Sequence, residues 1–514
     1  MHVLALDQST ASTKGVVFDE QGSVVARAAR PHRQHHPRPD WAEHDAEEIY
    51  RNVVAVIGEL VRGAVDARSL AAVAISNQRE TAVVWDRNTG RPVYPAIVWQ
   101  CMRGSETCRE LREAGLEDLF RQRTGLILDP FFSASKIRWV LEHVPGARAK
   151  AESGQLLAGT IDSWLVWKLT GGSVHVTDLS NASRTLLLDL RQRRWAPELC
   201  AHFGIPVEML PELVPSSGQL GETTADGALP DPVPIAGIAG DSHAALFGQR
   251  CFSPGEVKVT VGTGSSIMMN VGGQVRDSGP GLVSSIGFGL EERVDYVLEG
   301  NVHSAGDTIQ WLIDGLELFD DIDTIERLAG SVAGSGGVYL VPAFSGLGAP
   351  YWDNGASAVL AGMSRDTTRA HVARAAEESI AFQVRDVLEA ACAVVGTPLA
   401  DLQPRFDGGG SESDFLMQTL ADLIGVPLLA APHQDMSALG VAFLAGLATG
   451  VWQETGQIGA LPVARRRFEP ALAAGEREQR YADWLQAVQR ARLRPDDIPG
   501  RRPFANGANG KENA

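Results

Sequence analysis

Short apolar runs separated by polar turns mark the beginning of the chain. Residues 3–6 and 16–18 are apolar and flank a small, polar turn. A second turn, at residues 19–22, leads into a further segment at residues 23–28. Apolar runs of this length between turns are typical of β-strands, so the pattern predicts a three-stranded antiparallel start.

Helical spacing replaces this pattern further along the chain. Asp45 is a candidate N-cap with Glu48 three residues later, which is a helix-start signature. The apolar residues that follow at helical spacing are Ile49, Val53, Val56, Ile57 and Leu60. A short apolar strand at residues 73–76 follows this helix, and the alternation of strands and helices predicts an α/β fold.

The same strand-turn-strand pattern returns halfway along the chain. Residues 256–261 and 267–270 flank the turn Gly262-Thr263-Gly264-Ser265-Ser266. The two halves therefore look like weak internal repeats, each beginning with a hairpin whose turn is small and polar. Two such turns facing across a cleft could hold the two ends of a triphosphate.

A long amphipathic segment at residues 370–395 predicts a central helix of the second half. Its apolar face consists of Val372, Ala376, Ile380, Val384, Leu388 and Ala391. We interpret this face as packing rather than as a cofactor site.

The length of 514 residues is too great for a single hydrophobic core and predicts two large domains with a cleft between them. With 44% hydrophobic and 21% charged residues, the chain is expected to be globular. We predict domains at residues 1–248 and 249–498. Residues 499–514 offer almost nothing to bury and are expected to form a flexible tail.

The charge and the cysteines exclude several classes of protein. A net charge of −17 argues against nucleic acid as a partner, because phosphate backbones are bound by clusters of Lys and Arg. Five cysteines without a CxxC pair indicate neither a disulfide framework nor a zinc site. No apolar run approaches the length that spans a bilayer, so we expect no membrane insertion and a cytoplasmic location.

The clustered histidines His32, His35, His36 and His44 lie in a proline-containing segment. Their irregular spacing favours a solvated loop over a metal site.

Several polar segments are candidates for phosphoryl transfer, although the chain lacks a GxxxxGK[ST] loop. Asp7 ends an apolar strand, and hydroxyl residues and Lys14 follow it. Such a turn can meet phosphate and hydrated magnesium, or it can be a hairpin turn that satisfies its own backbone. From the spacing alone the two interpretations are even.

Three further segments have both a chemical and a structural interpretation. The glycine run 408–410 can approach a nucleotide closely or form an ordinary turn. Arg79 and Glu80 can bind neighbouring hydroxyls of a polyol or form a surface ion pair. Asp241 follows an apolar strand and can act as a general base or cap a helix. In isolation the structural interpretation is the commoner one for all three.

Taken together, the segments resemble the FGGY carbohydrate kinase family, and within it the glycerol kinases. The similarity extends over nearly the whole chain. The segments that carry it are Leu6-Asp7-Gln8, Ser76-Asn77-Gln78-Arg79-Glu80-Thr81, Ile97-Val98-Trp99-Gln100-Cys101, residues 237–241, Val341-Pro342-Ala343-Phe344, residues 346–353, and the two signature regions at residues 131–139 and 362–378.

The resemblance implies two actin-like ATPase domains, each ribonuclease-H-like, around a catalytic cleft, with ATP and Mg²⁺ as cofactors. It implies transfer of a phosphoryl group to a terminal hydroxyl of glycerol and, for the assembly, a homo-oligomer. The implied roles are Asp241 as catalytic base, Asp7 at the metal, Arg79, Glu80, Trp99, Phe131, Ser242 and Ser266 at the polyol, and Thr10, Ala11, Ser12, Lys14, Thr263, Gly306, Gln310, Gly409 and Ser413 at the nucleotide.

Departures from the family pattern lie in the acceptor pocket. Similar proteins usually have Tyr at Phe131, Gln at Ser242 and Phe at Ser266. The loss of bulk and of hydrogen-bonding groups keeps open two alternatives, a kinase for a larger polyol or sugar and a catalytically weak sensor. Residues 223–232 contain no Arg or Lys, so we expect no inhibition by fructose 1,6-bisphosphate.

Overall fold

The computed structural model describes residues 1–494. The predicted flexible tail at residues 499–514 lies outside the described residues, as do the last four residues of the predicted second domain. The domain limits of 1–248 and 249–498 stay a prediction.

The N-terminal half, residues 1–248, comprises fifteen strands and nine α-helices. Its strands are β1 (His2–Gln8), β2 (Ser12–Phe18), β3 (Val24–Pro31), β4 (Gln34–His35), β5 (Glu43–His44), β6 (Leu70–Asn77), β7 (Ala82–Asp86), β8 (Ala96–Ile97), β9 (Leu156–Thr160), β10 (Val176–Asp178), β11 (Leu188–Asp189), β12 (Arg194–Trp195), β13 (Glu212–Val214), β14 (Ser217–Thr223) and β15 (Val233–Gly240). Its helices are α1 (Ala46–Gly63), α2 (Ser105–Glu113), α3 (Glu117–Thr124), α4 (Ser133–His143), α5 (Ala147–Glu152), α6 (Ile161–Leu169), α7 (Leu179–Ala182), α8 (Pro197–His202) and α9 (Asp241–Gly248).

The C-terminal half, residues 249–494 of the described chain, comprises nine strands and seven α-helices. Its strands are β16 (Val257–Val261), β17 (Ser265–Gly272), β18 (Val283–Gly289), β19 (Val294–Val302), β20 (Tyr339–Val341), β21 (Val359–Ala361), β22 (Arg405–Asp407), β23 (Leu428–Ala430) and β24 (Arg466–Phe468). Its helices are α10 (Gly306–Gln310), α11 (Ile322–Ala329), α12 (Arg369–Val395), α13 (Asp414–Ile424), α14 (Met436–Thr449), α15 (Thr455–Ala460) and α16 (Ala474–Arg492).

The two main sheets share the pairing of five strands and differ beyond the hairpin, where β3 lies next to β2 but β19, followed by β18, lies next to β17. The first has the order β14-β15-β6-β1-β2-β3, and the second has the order β18-β19-β17-β16-β22-β23-β24. In each sheet an antiparallel hairpin, β1-β2 or β16-β17, begins the unit and its first strand pairs in parallel with a later strand, β6 or β22. This arrangement confirms the predicted α/β class, the antiparallel start and the internal repeat.

The topology brings the candidate residues to two sheet edges. β1, β6 and β15 run in parallel, with Asp7 opposite Ser76 and Ser76 opposite Ala239. The segments that follow these three strands therefore emerge side by side at one edge. In the second sheet β16 and β22 are likewise parallel, so the turn at residues 262–264 emerges beside the glycine run.

The predicted helices are present and more extensively buried than their patterns indicated. The side chain of Asp45 accepts from the Glu47 N–H and caps α1, whose predicted apolar face is buried. Helix α12 matches the predicted central helix within one residue. It also buries charged residues such as Glu377 and Asp386, because other elements pack around most of its circumference.

A close helix crossing joins the two halves. Helix α14 of the C-terminal half contacts β1, β6 and β15 of the first sheet, and it packs against α9. A Cβ on Gly440 would lie 1.7 Å from the carbonyl oxygen of Ala244, so the crossing requires glycine at that position. The contact between the halves is therefore a packed core rather than a loose linker.

Two predictions about isolated residues have different outcomes. All five cysteines are buried and free, as expected for small core residues. The solvated histidine loop is wrong for His32 and His44, which are buried with ring centroids 4.8 Å apart. Among residues 1–494, no helix combines the length and the apolar character needed to cross a membrane.

Candidate active site

Arg79 and Glu80 occupy a tight turn directly after β6. The Thr81 N–H donates to the Arg79 carbonyl at 2.7 Å, which closes a three-residue turn around Glu80. Glu80 has φ +60°, a conformation that L-residues rarely adopt. Backbone strain of this kind costs about 1–3 kcal/mol and is concentrated at functional sites. Here it directs both side chains into a buried network.

Glu299 of β19 connects this turn to the second sheet. Its carboxylate pairs with Arg79 at 2.8 Å and with Arg184 at 2.7 Å, and Arg184 also pairs with Glu80 at 2.6 Å. All four side chains are almost completely buried. Burial raises the pKa of Glu299, but Arg184 and Arg79 outweigh burial and hold that pKa at about 2. Glu299 is therefore charged and locks the two arginines in place.

Asp241 is the exposed end of the same network. The Arg79 Nε lies 3.3 Å from Asp241 Oδ1, and 36% of the Asp241 side chain is exposed. Gly240 occupies the N-cap position, and Asp241 is the first residue of α9, where its carboxylate accepts from the N–H of Ser242 at 2.6 Å. The carboxylate is thus not the N-cap of α9, and it remains open to a bound molecule.

An aromatic wall lies next to this carboxylate-arginine network. The rings of Trp99 and Phe131 meet edge to face with centroids 5.4 Å apart. The Trp99 Nε1 donates to Thr10 Oγ1 at 3.0 Å, which ties the wall to the first turn. The buried Lys136 donates to the Pro130 and Phe131 carbonyls, each at 2.6 Å, and so fixes the backbone behind the wall.

The first turn is organised around Asp7. The Ser76 Oγ donates to Asp7 Oδ1 at 3.1 Å. Burial raises the pKa of Asp7 to about 6, while the neighbouring Lys14 opposes the increase and Asp241 adds to it. The Ser9 N–H and the Ser12 carbonyl close the turn at 2.9 Å, with Thr10 and the exposed Ala11 between them.

The second turn packs against the start of α10. The Gly306 N–H donates to the Gly262 carbonyl at 2.9 Å, and the Asp307 N–H donates to the Thr263 carbonyl at 3.1 Å. A Cβ on Gly306 would lie 2.6 Å from the Gly262 oxygen. The structure thus brings Thr263 and Gly306 together. Gln310 ends the same helix, and its side chain donates to Asp314 at 2.6 Å.

The glycine run follows β22. Gly408 has φ +86°, and a Cβ there would lie 2.5 Å from the Val261 oxygen, so this turn requires glycine. A Cβ on the exposed Gly409 would meet no protein atom within 4 Å. Ser413 caps α13 by accepting from the Leu416 N–H at 3.0 Å.

Ser266, a predicted polyol-binding residue, lies on one face of the second sheet. Residues directly opposite each other on paired strands share a face. Met268 lies opposite both Lys258 and Glu299, so Ser266, two residues away, shares their face. The Ser266 Oγ is buried and has no hydrogen-bond partner. Ser242 lies on α9 of the other half, next to Asp241.

The structure does not join the two turns directly. Within residues 1–494, no hydrogen bond or ion pair links the turn around Thr10 with the turn around Thr263. The turn around Thr10 is instead bonded by Trp99, and the turn around Thr263 by the start of α10. The predicted nucleotide residues therefore form two groups, one on each half of the molecule.

Three charged residues of the site were not predicted. Lys258 is the single charge of the apolar strand β16, Glu299 is one of two charges in the mainly apolar β19, and Arg184 follows the short helix α7. The Lys258 Nζ is buried without a hydrogen-bond partner, and burial lowers its pKa while Asp407 opposes the decrease. A charged side chain inside an apolar strand must pair with an opposite charge or become neutral. The charges in β16 and β19 were therefore the signal in the sequence for a buried network.

Each half of the chain matches one model of the same protein family. Residues 2–248 match the N-terminal domain of the FGGY family of carbohydrate kinases, and residues 257–449 match its C-terminal domain.

Individual relatives are similar over nearly their full length. A glycerol kinase of Carboxydothermus hydrogenoformans is 50% identical, covering 96% of this chain and 98% of the relative. One of Dechloromonas aromatica is also 50% identical, covering 95% and 97%. The crystal structure of Plasmodium falciparum glycerol kinase with ADP superimposes with a TM-score of 0.89 at 32% identity, covering 96% and 98%.

Proposed function

We propose, because this chain belongs to the FGGY family of carbohydrate kinases, that it transfers the γ-phosphoryl group of ATP to a terminal hydroxyl of glycerol. The chain is a phosphotransferase with an alcohol group as acceptor. The observation that carries the proposal is the position of Asp241, whose partly exposed carboxylate is held by the buried Arg79 at the same sheet edge as Asp7.

On the acceptor side, Asp241 would accept the proton of the attacking hydroxyl. Arg79, held by Glu299, orients the Asp241 carboxylate and offers donors to the acceptor's oxygens. Glu80 would accept hydrogen bonds from neighbouring hydroxyls, and Trp99 and Phe131 would cover the carbon chain. Positioning of this kind supplies much of the catalysis in phosphoryl transfer.

On the donor side, the two turns would hold the phosphates of ATP. Backbone N–H groups and hydroxyls of the first turn, with Lys14, face one end of the triphosphate, and Thr263 with Gly306 faces the other. Gly409 and Ser413 would lie against the nucleoside, where the open space at Gly409 permits close approach. Gln310 would contact the nucleotide once its side chain no longer donates a hydrogen bond to Asp314.

The residues around Asp7 fit a magnesium ion. Mg²⁺ keeps several waters and is usually bound by one or two carboxylates together with substrate phosphates. The raised pKa of Asp7 reflects a carboxylate that is buried near the second carboxylate of Asp241, and a divalent cation would stabilise its charged form. When bound there, the ion would offset the charge of the phosphates.

A second candidate acceptor is a polyol or sugar of four or five carbons. The buried Ser266 Oγ lacks a partner, and a hydroxyl beyond the third carbon could supply one. An unpaired buried hydroxyl costs about 1–3 kcal/mol, so a larger substrate would gain roughly that amount at this position.

The experiment that tests the proposal is magnesium-ATP turnover with glycerol, dihydroxyacetone, erythritol, ribitol and xylulose. We expect the highest kcat/KM with glycerol. Preference for a longer acceptor would replace the first proposal with the second, and the S266F variant should then shift preference back towards glycerol. Absence of ADP release with every acceptor would support the sensor alternative.

A further inference from the structure

A pocket separate from the proposed active site lies where the two halves meet. Its volume is about 280 Å³. Residues 21–24, in the turn between β2 and β3 and at the first residue of β3, line it together with residues 462–465. Met436 at the start of α14 and Gly248 at the end of α9 line it as well. The pocket therefore adjoins the crossing of α9 and α14 that joins the halves.

The lining of this pocket is basic, although the chain is acidic overall. Arg27, Arg250, Arg465 and His433 line it, and none of the described residues that line it is Asp or Glu. The whole chain carries 63 acidic and 46 basic residues. A group of three arginines around one cavity is thus opposite in sign to the rest of the molecule.

The arginines differ in how well they are neutralised. Arg27 pairs with Asp435 at 2.7 Å. Arg250 donates to the Leu461 carbonyl at 2.6 Å, and Arg465 donates to the Gln249 carbonyl at 2.8 Å. Within residues 1–494, neither Arg250 nor Arg465 pairs with a carboxylate.

Arg465 has unused hydrogen-bonding capacity. Its Nε is buried and has no hydrogen-bond partner. Burial and the neighbouring guanidinium of Arg405 lower the pKa of Arg465 to about 10, and the same two causes lower the pKa of Arg250. The protein thus holds like charges together at a cost, which an anion in the pocket would offset.

We propose that this pocket binds the phosphoryl dianion of a small metabolite, with Arg250 and Arg465 as its principal ligands. The planar fork of arginine matches phosphate oxygens and favours them over single-point acceptors. The volume accommodates a compact phosphomonoester or free phosphate. Arg27 and His433 would supply further contacts from the two opposing halves.

The location gives such a ligand a regulatory effect. Residues of both the N-terminal and the C-terminal half line the pocket, and kinases of this kind depend on closure of a cleft. A ligand that contacts residues of both halves favours whichever arrangement of the halves it fits better. None of residues 223–232 lines this pocket, so the site is distinct from that segment.

The test is calorimetric titration of the full chain with inorganic phosphate and, separately, with 3-phosphoglycerate. Saturating glycerol, magnesium and a non-hydrolysable ATP analogue are present to occupy the proposed active site. We expect saturable binding of one ligand per chain. R465Q should weaken it about 10- to 100-fold, because a charge-assisted hydrogen bond is lost. Tighter binding of 3-phosphoglycerate than of phosphate would identify a phosphomonoester, and the reverse order would identify free phosphate.

Two further variants keep the test decisive. R465K retains the charge but not the fork and should have an intermediate affinity. R30Q removes an exposed arginine on the same strand as Arg27 and should bind like the wild type. The thermal midpoint should rise with ligand in the wild type and R30Q but not in R465Q. No saturable binding to the wild type, or equal binding by R465Q, would overturn the proposal. Because the readout is binding, failure here leaves the proposed kinase activity intact.

Discussion

The two main sheets share the pairing of five strands but carry different chemistry at their corresponding edges. At the first edge, Asp7 near the end of β1, Arg79 just after β6 and Asp241 directly after β15 present charged side chains. At the second edge, the segments after β16 and β22 are mainly glycine and hydroxyl residues, and they present backbone groups.

Under the proposed function, this difference lets one repeated framework bind two substrates. A small neutral polyol requires charged and hydrogen-bonding side chains to orient it and to remove its proton. A nucleotide supplies its own charge and is held by backbone N–H groups that approach closely only where side chains are absent. Glu299 connects the two halves as well, since it lies in the second sheet and pairs with Arg79 and Arg184 of the N-terminal half.

The largest effect is expected for D241N, which removes the proposed base at the first sheet edge. We expect kcat to fall by about 10²–10⁴-fold, the usual contribution of general base catalysis. The measurement is steady-state turnover with saturating magnesium-ATP and acceptor. D231N, at an exposed aspartate, should be unaffected. An unchanged kcat in D241N would remove Asp241 from the mechanism.

E299Q tests the link between the sheets. Loss of the carboxylate leaves Arg79 and Arg184 buried with one partner fewer, so the acceptor site should loosen. We expect kcat/KM for the acceptor to fall about 10- to 100-fold, with little change in the KM for ATP. The exposed Glu291 provides the control variant E291Q. Equal losses for acceptor and ATP would indicate a general structural defect instead.

G409A tests the backbone character of the second edge. The added methyl group would meet no protein atom, so stability should not change. If the nucleotide lies against this glycine, the KM for ATP should rise about 3- to 10-fold, by analogy with small steric changes in a binding site. G459A, also in open space but on α15, is the matched control. A normal KM for ATP in G409A would place the nucleotide elsewhere.

Two buried carboxylates contrast in their effect on stability alone. Two arginines keep Glu299 charged, whereas burial raises the pKa of Glu377 from 4.5 to about 8 and Glu326 adds to the increase. The folded state therefore binds the Glu377 proton more tightly than the unfolded state does. Stability from this group is fully present below pH 4.5 and is lost as the pH rises to about 8, by at most about 1.4 kcal/mol per pH unit.

E377Q should remove this pH dependence while leaving activity unchanged. Thermal unfolding measured from pH 5 to about 8.5 should show a flatter profile for the variant than for the wild type. E378Q is the contrasting variant, because Glu378 pairs with Arg374 at 2.7 Å and should be destabilised throughout that range. Parallel profiles for the wild type and E377Q would show that Glu377 is charged in the folded protein.

Several features were predictable because their signals are local. The hairpins, the capped helix after Asp45 and the long helix α12 follow from apolar spacing and cap residues. The small polar turn of each hairpin indicated the two sheet edges at which the candidate residues lie. The structural interpretation of Asp241 as a helix cap did not hold, since Gly240 occupies that position. Burial of His44 was missed because a pairing with Ala96, distant in sequence, encloses it.

The elements, the repeated framework and the family resemblance can be predicted from the sequence, since these depend on periodicity and on motifs a few residues long. The pairing of Glu299 with Arg79 across 220 positions of sequence, and the position of Arg27, Arg250 and Arg465 around one pocket, become visible in the folded chain alone. These contacts depend on how the two halves of the molecule pack against each other. No local pattern records that packing.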